Sequence, residues 1–497
     1  MESLWIETTK DKINCKTLEE DEKTEICIIG GGLFGLTTAY YLTQYGKKVV
    51  VLEKDKIGEK VSGNTTGKIT SQHELFYTHL VNDYGKEYAK KYLEANEQAI
   101  KNIENIIKKE NIDCDFIIQN SYVYTTNESE IPEIENEIDV VNSLGKKAKF
   151  VTDIDLPIKI KGAIEFDKQA QFHPRKYMLG LANSVLKKNK IYEHTTVVDV
   201  EKKEDYYIIY TNTGKIKAKY VVIATHFPII NIPGFYFVKM YQSTSYIIAI
   251  ETNSKLPEGM FINVKEPIYS FRTADYNGKK ILLIGGCGNK TGEPIPDNSH
   301  YEKLEKKAKE IYPDCKVIFK WNTRDCISLD KIPYIGEFSK MMKNMYVGTG
   351  FKKWGITLSN VAANIISDEI MGKENEFADI FTATRMKPIK NRWEVENILK
   401  ETVNSIALNK FKIEPYNIEM IENDNGAIVE INGENVGIYK DIEGKIYAVK
   451  PNCSHLGCLL SWNNIDKTWD CPCHGSRFDY MGKNMYEPAI KDLDTKM

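Results

Sequence analysis

Two cysteines and two histidines near the C-terminus stand in mixed pairs, Cys453-Ser454-His455 and Cys471-Pro472-Cys473-His474. Thiolate sulfur and neutral imidazole nitrogen both bind transition metals. Zinc fingers also use two Cys and two His, but there each pair is usually of one kind. A two-iron cluster with one iron held by sulfur and the other by nitrogen needs the mixture found here. A structural zinc knuckle is the alternative, and an absorption spectrum separates the two because zinc is colourless.

A second signature lies near the other end. Residues 25–29 read as a buried strand, followed at once by Gly30-Gly31-Gly32-Leu33-Phe34-Gly35 and a helical run to Tyr45. Gly30, Gly32 and Gly35 make the G-x-G-x-x-G turn, which lets a pyrophosphate sit against a helix N-terminus, where free N–H groups and the helix dipole favour negative charge. A strand at 48–52 then ends in Glu53, whose carboxylate can accept hydrogen bonds from ribose hydroxyls and would repel a 2'-phosphate. Together these predict a dinucleotide site. Two other glycine-rich runs do not read as the Walker A loop or the NAD(P) site they could be mistaken for. Ser62-Gly63-Asn64-Thr65-Thr66-Gly67-Lys68 resembles a Walker A loop but has Ser where Gly is required and Ile69 where Ser or Thr is required. The run 286–292 continues into Glu-Pro-Ile-Pro, which cannot start the helix a phosphate would need; it reads as strand and loop.

The elements that must position these groups exceed one compact core, since 497 residues call for two or more domains. A formal net charge of -3 gives no electrostatic case for binding nucleic acid. The longest apolar run, 26–42, is interrupted by glycines and fits strand, turn and helix rather than a membrane span. No basic region followed by an apolar core opens the chain, and six of its ten cysteines are scattered, so a cytoplasmic location is expected. Strand and helix patterns alternate over 22–80, 160–230 and 318–372. An amphipathic helix is expected from about 86 to 109, and 373–405 reads as a connector with a short helix. From 410 onward short strands with glycine turns dominate, among them 427–431, 434–439 and 445–449, which predicts a small antiparallel barrel.

The string CSHLGC followed by CPCHGS resembles the Rieske [2Fe-2S] signature, over most of 406–497. The resemblance implies that Cys453 and Cys471 ligate one iron and His455 and His474 the other, and that Cys458 and Cys473 form a disulfide between the two loops. It also implies that Ser476 donates a hydrogen bond to the cluster, as in high-potential members of the family. Those proteins place a tyrosine donor two residues later, where this chain has Phe478, so a lower potential than that of the quinol-oxidising type is expected.

Residues 22–372 resemble the glycine oxidase and D-amino-acid oxidase family of FAD-dependent oxidoreductases, through the glycine turn, the strand at 220–225, the stretch from Trp321 to Gly336, and the segment from Met345 to Thr357. This implies an α/β, Rossmann-like FAD domain (22–80, 160–230, 318–372) interleaved with an α+β substrate domain (81–159, 231–317), followed by a small all-β Rieske domain. Thr66 and Gly67 would lie beside the FAD, with Gly350, Gly355, Ile356 and Thr357 near the flavin ring. Arg324, at the motif position, and Arg272, on a strand, are candidates to clamp a substrate carboxylate. His173 is a candidate base, and its neighbour Pro174 equally suits a helix start. His73, Tyr241 and Tyr246 are weaker candidates for contact with cofactor or substrate. The expected activity is a dehydrogenase or oxidase of a small amine, amino acid or similar substrate that passes electrons between FAD and the cluster, with an external electron donor or acceptor. A reductase with reversed flow, and a redox sensor or electron-transfer protein without turnover, are the rivals; a closed or apolar pocket would favour the sensor.

Overall fold

The computed structural model describes residues 2–10, 13–293, 299–385 and 418–496. Its first sheet is centred on Glu22–Ile29, which pairs in parallel with Val49–Leu52 on one side and Lys215–Ile223 on the other. Lys190–Tyr192 and Met345–Thr349 extend it in parallel, and Tyr334–Glu337 closes one edge antiparallel. Ile26 to Ile29 and all of Val49–Leu52 are buried, which is why they read as unbroken apolar runs: a parallel sheet is covered on both faces. Helices Leu33–Gln44 and Gly355–Ile370 pack against each other and share one core with this sheet.

The second sheet has nine strands. Its main path runs Lys316–Ser328, Met240–Glu251, Lys279–Lys290, Tyr269–Tyr276, Met260–Asn263, Ile117–Thr125, Gly162–Gln171 and Lys68–Ile69. Three of these strands fall in segments that the sequence pattern assigned to the FAD domain: Lys68–Ile69, Gly162–Gln171 and most of Lys316–Ser328. Alternation identifies a strand but not the sheet that takes it, and here long-range pairing decides. The run 286–292 is strand to Lys290 and then loop, as expected. The amphipathic helix is Lys86–Glu110, stopped by Asn111 in the left-handed conformation; it packs against Gly355–Ile370 and so ties the two halves together.

Toward the C-terminus, Asn425–Ile431, Glu434–Lys440 and Ile446–Val449 form one antiparallel sheet, and Ser461–Asn463, Thr468–Asp470, Arg477–Asp479 and Asn484–Tyr486 a second. The connector lies outside the described residues beyond 385, as does the proposed domain start at 406. Its first part holds the short helix Ala378–Phe381 and docks on the FAD half, where the Arg385 guanidinium pairs with Asp330 at 2.7 Å. Among the described residues no helix is long and apolar enough to cross a membrane.

Candidate functional site: two cofactor loops and a charged cavity

The two cysteine-histidine loops are built alike. In the first, Cys453 N–H donates to Cys458 O and Gly457 N–H to Cys453 O, both at 2.8 Å; in the second, Cys471 N–H donates to Ser476 O at 2.8 Å and Gly475 N–H to Cys471 O at 3.0 Å. Gly457 and Gly475 both have φ of +79°, which favours glycine. The strand pair Thr468–Asp470 and Arg477–Asp479 holds the second loop at its tip. A Cys458–Cys473 disulfide joins the loops, as the resemblance implied. It closes a sequence separation of 15 residues, so its reduction is expected to destabilise this domain by about 3 kcal/mol; denaturant unfolding with and without a thiol reductant checks this.

The remaining donors converge. His455 and His474 face each other with ring centroids 5.1 Å apart, while Cys453 and Cys471 are buried free thiols. Both Nδ1 atoms are buried without a hydrogen-bond partner, as metal-binding nitrogens would be. Burial pushes His455 down to about 4 and His474 to about 3, so each is the neutral imidazole that ligates metal. The hydrogen bond from Cys471 holds Cys453 down, to about 7. The sulfurs of Cys458, Cys471 and Cys473 also lie within 4.8 Å of one another, but two of them are consumed by the disulfide. The donor set that fits a [2Fe-2S] cluster is therefore Cys453, Cys471, His455 and His474.

Ser476 is fully buried; its oxygen accepts from Ala489 N–H at 3.0 Å, and its hydroxyl helps to hold the Cys453 thiol down. A hydrogen bond to a charged acceptor is worth about 1.5–3 kcal/mol. Part of that is made only to the reduced cluster, so Ser476→Ala is expected to lower the one-electron potential by roughly 50–100 mV, read by redox titration with the cluster retained. Phe478, buried in the same small core as both thiols, offers no donor, and Phe478→Tyr is expected to move the potential the other way.

At the other cofactor site the glycines are dictated by contact. A Cβ on Gly30 would lie 2.3 Å from Ala224 O, and one on Gly35 would lie 2.0 Å from Gly30 O. Gly32 caps helix Leu33–Gln44, whose first N–H donates to Ser62 Oγ at 3.1 Å. Glu53 accepts from Gly31 N–H at 2.8 Å and Asp55 N–H at 3.0 Å; burial pushes its carboxyl up to about 7 against the pull of these donors. A continuous cavity runs from Gly30, Gly32 and Glu53 past Thr66 to Gly355 and Ile356, as a dinucleotide requires. Gly35, Gly67, Gly350 and Thr357, expected beside the cofactor, are not among the residues that line it. The Thr357 hydroxyl reaches Thr70 O at 3.3 Å, and His73 stacks on Trp354 at 4.8 Å with its Nδ1 on Tyr92.

The three basic residues read as catalytic do not line this cavity. His173 caps helix Pro174–Leu186 and meets Thr8 Oγ1 at 2.9 Å. Arg272 donates to Gly67 O at 2.9 Å and Phe172 O at 3.0 Å, holding the loop that carries Thr66. Arg324 is buried on the far side of its strand, 3.7 Å over the Tyr486 ring of the C-terminal domain. Side chains alternate along a strand, so the cavity receives its neighbours Thr323 and Asp325 instead. Tyr246 is buried and stacks on His300, also away from the cavity.

Asp325 lines the cavity and is half-buried; burial pushes its carboxyl up to about 6, with Lys353 opposing. Lys352 and Lys353 line the same space, held by successive left-handed backbones with φ of 45° and 68°. Such strain collects at functional sites. Burial pushes Lys352 down to about 8 and Lys68 to about 7, and Lys68 donates to Phe261 O at 2.8 Å and Ser270 Oγ at 2.5 Å. Sequence reasoning missed all four, although the Lys-Lys pair directly before the flavin-facing helix was a signal.

The histidine end of the cluster loops is turned onto the first half of the chain. His455 Nε2 lies 2.7 Å from Asn231 Oδ1, Phe237 packs edge-on against both imidazoles, and Gln242 Nε2 donates to His474 O at 2.9 Å and Glu487 O at 3.0 Å.

This combination defines a flavoprotein with an iron-sulfur domain at its C-terminal side. The chain belongs to the FAD dependent oxidoreductase family, whose model matches residues 25–369, and it carries a Rieske [2Fe-2S] domain at 416–496. It is 36% identical over 493 residues to a Bacillus subtilis (strain 168) protein named for its Rieske 2Fe-2S iron-sulfur character, YhfW, covering 99% of this chain and 97% of that one. It is 23% identical to the gamma-glutamylputrescine oxidoreductase of Escherichia coli (strain K12), covering 73% of this chain and 87% of that one. Glycine oxidase from Geobacillus kaustophilus shares the fold with a TM-score of 0.64 at 19% identity, over 74% of this chain and 100% of that one. The protein is an oxidoreductase whose cofactors are FAD and a [2Fe-2S] cluster.

Proposed function

We propose that this protein oxidises a small amine or amino acid in the charged cavity and delivers the electrons one at a time, through the cluster, to an external acceptor. When bound, FAD supplies two-electron hydride chemistry and the cluster one-electron transfer. The observation that carries the reading is the docking of His455 and His474 on Asn231, Phe237 and Gln242. Gln242 is the register partner of Cys326, the neighbour of Asp325, so a single pair of strands separates the second cluster loop from the cavity.

The cavity supports turnover rather than sensing. Asp325 can hold a substrate ammonium, and Lys352 and Lys353 a carboxylate, so both ends of a small zwitterion have a complement. The Escherichia coli relative is named for gamma-glutamylputrescine, in keeping with an amine here. The ligand roles of Cys453, Cys471, His455 and His474 belong to the same reading, as does a cytoplasmic setting with the disulfide shielded beside the cluster.

The test is anaerobic mixing of the holoprotein with amines, amino acids and hydroxy acids. One of them is expected to bleach the flavin band and raise the paramagnetic signal of the reduced cluster on the same time course. Bleaching of the flavin by substrate with the cluster left oxidised refutes the relay.

A further inference from the structure

The cavity that begins at the glycine turn does not end within the flavoprotein half. Asn484, Tyr486, Glu487, Ala489 and Ile490 of the Rieske domain line it too. They stand at the end marked by Glu53. Lys54, the next residue, ion-pairs with Glu487 at 3.0 Å and donates to Asn484 Oδ1 at 3.2 Å and Met485 O at 3.1 Å. Both charged side chains of that pair are less than one-fifth exposed, 19% and 17%, so solvent screens them less than a surface pair. Tyr486 is clamped between two cations of the other half, with Lys60 5.2 Å and Arg324 3.7 Å from its ring centre.

A second observation points to a ligand at this seam. His226 lines the cavity beside Glu487, and its Nε2 is buried with no hydrogen-bond partner. Its backbone is left-handed, φ 64°, and its carbonyl is fixed by the Thr349 hydroxyl at 2.5 Å. A buried polar atom held in a strained conformation and left unsatisfied is costly unless something bound in the cavity meets it.

We infer that the Rieske domain supplies part of the FAD site: residues 484–490 close the adenosine end of the cavity, with Tyr486 and Glu487 facing the bound dinucleotide. The cluster domain is then a structural component of the flavin site as well as an electron carrier. By linkage, whatever FAD gains from the docked domain the docked domain gains from FAD. The inference does not depend on the direction of electron flow or on the substrate.

The test uses the full chain. FAD is removed, and its Kd is measured on re-addition by quenching of flavin fluorescence, for the unmodified protein and for the double variant Tyr486→Ala/Glu487→Ala. Retention of the cluster's visible spectrum in the variant shows that the Rieske domain is folded. The Kd is expected to rise at least threefold, and a smaller change overturns the inference. If the double variant does not fold, the unmodified protein decides through hydrogen exchange: the amides of 484–490 are expected to exchange at least threefold faster without FAD than with it, and equal rates overturn the inference.

Discussion

Cys453→Ser is expected to remove the cluster and, with it, nearly all transfer of electrons to a one-electron acceptor, while substrate still bleaches the flavin. Cys453 is one of the four donors proposed for the cluster, it is buried, and a thiolate is the form that binds iron. A serine hydroxyl at the same place stays protonated near neutral pH and is a far poorer ligand, and a site holding its metal by several such bonds loses most of its binding free energy with one of them. The Cys458–Cys473 bridge still joins the loops, so the lesion stays local. With FAD in excess, the visible and paramagnetic signatures of the cluster are expected to vanish, acceptor reduction to fall at least about a hundredfold, which is about 2.7 kcal/mol of barrier, and anaerobic flavin bleaching to persist within a fewfold. Acceptor reduction at the unmodified rate would mean that electrons leave directly from the flavin, and the docked histidines would need another explanation.

Local chemistry was legible in the sequence where it depends on residues close along the chain. The glycine turn with Glu53 and the two cluster loops are each set by a handful of neighbouring positions, and the structure brings those residues together in tight, glycine-dependent turns. The disulfide was legible only through the family resemblance. The cavity wall was not legible, because Arg324 and Asp325 are adjacent on one strand and point to opposite sides. Which side is inward depends on register with Met240–Glu251, where Thr244 faces Arg324 and Ser243 faces Asp325. Arginine at the motif position looked like a carboxylate clamp; in the fold it supports Tyr486, and a carboxylate takes the cavity side. The seam between domains was illegible for a related reason. Lys54 and Glu487, or Asn231 and His455, are hundreds of residues apart, and no periodicity or spacing connects them.

Gly35→Ala is expected to abolish FAD binding at micromolar cofactor. The third glycine of the turn lies inside helix Leu33–Gln44, where alanine is otherwise the more favourable residue by about 1 kcal/mol. Propensity therefore predicts a stabilised protein and contact predicts the opposite. An added Cβ would stand 2.0 Å from Gly30 O and 3.3 Å from the Ala224 side chain. The oxygen is backbone, with no rotamer to yield, and Gly30 is itself pinned: its N–H donates to Leu52 O at 2.8 Å, and its own Cβ position is blocked by Ala224 O. The helix must move off the sheet instead. That displaces the N-terminus that faces the pyrophosphate and opens packing among Leu36, Ala39 and Ile28, all fully buried, at a cost on the order of 1–3 kcal/mol for an overpacked core. Purified Gly35→Ala is expected to be colourless in the flavin band while keeping the cluster's absorption, because the cluster loops rest on their own sheet. A variant that retains stoichiometric FAD would show that the turn tolerates a wider approach of helix to strand than the contacts allow, and the glycine motif would lose its claim to be the pyrophosphate site.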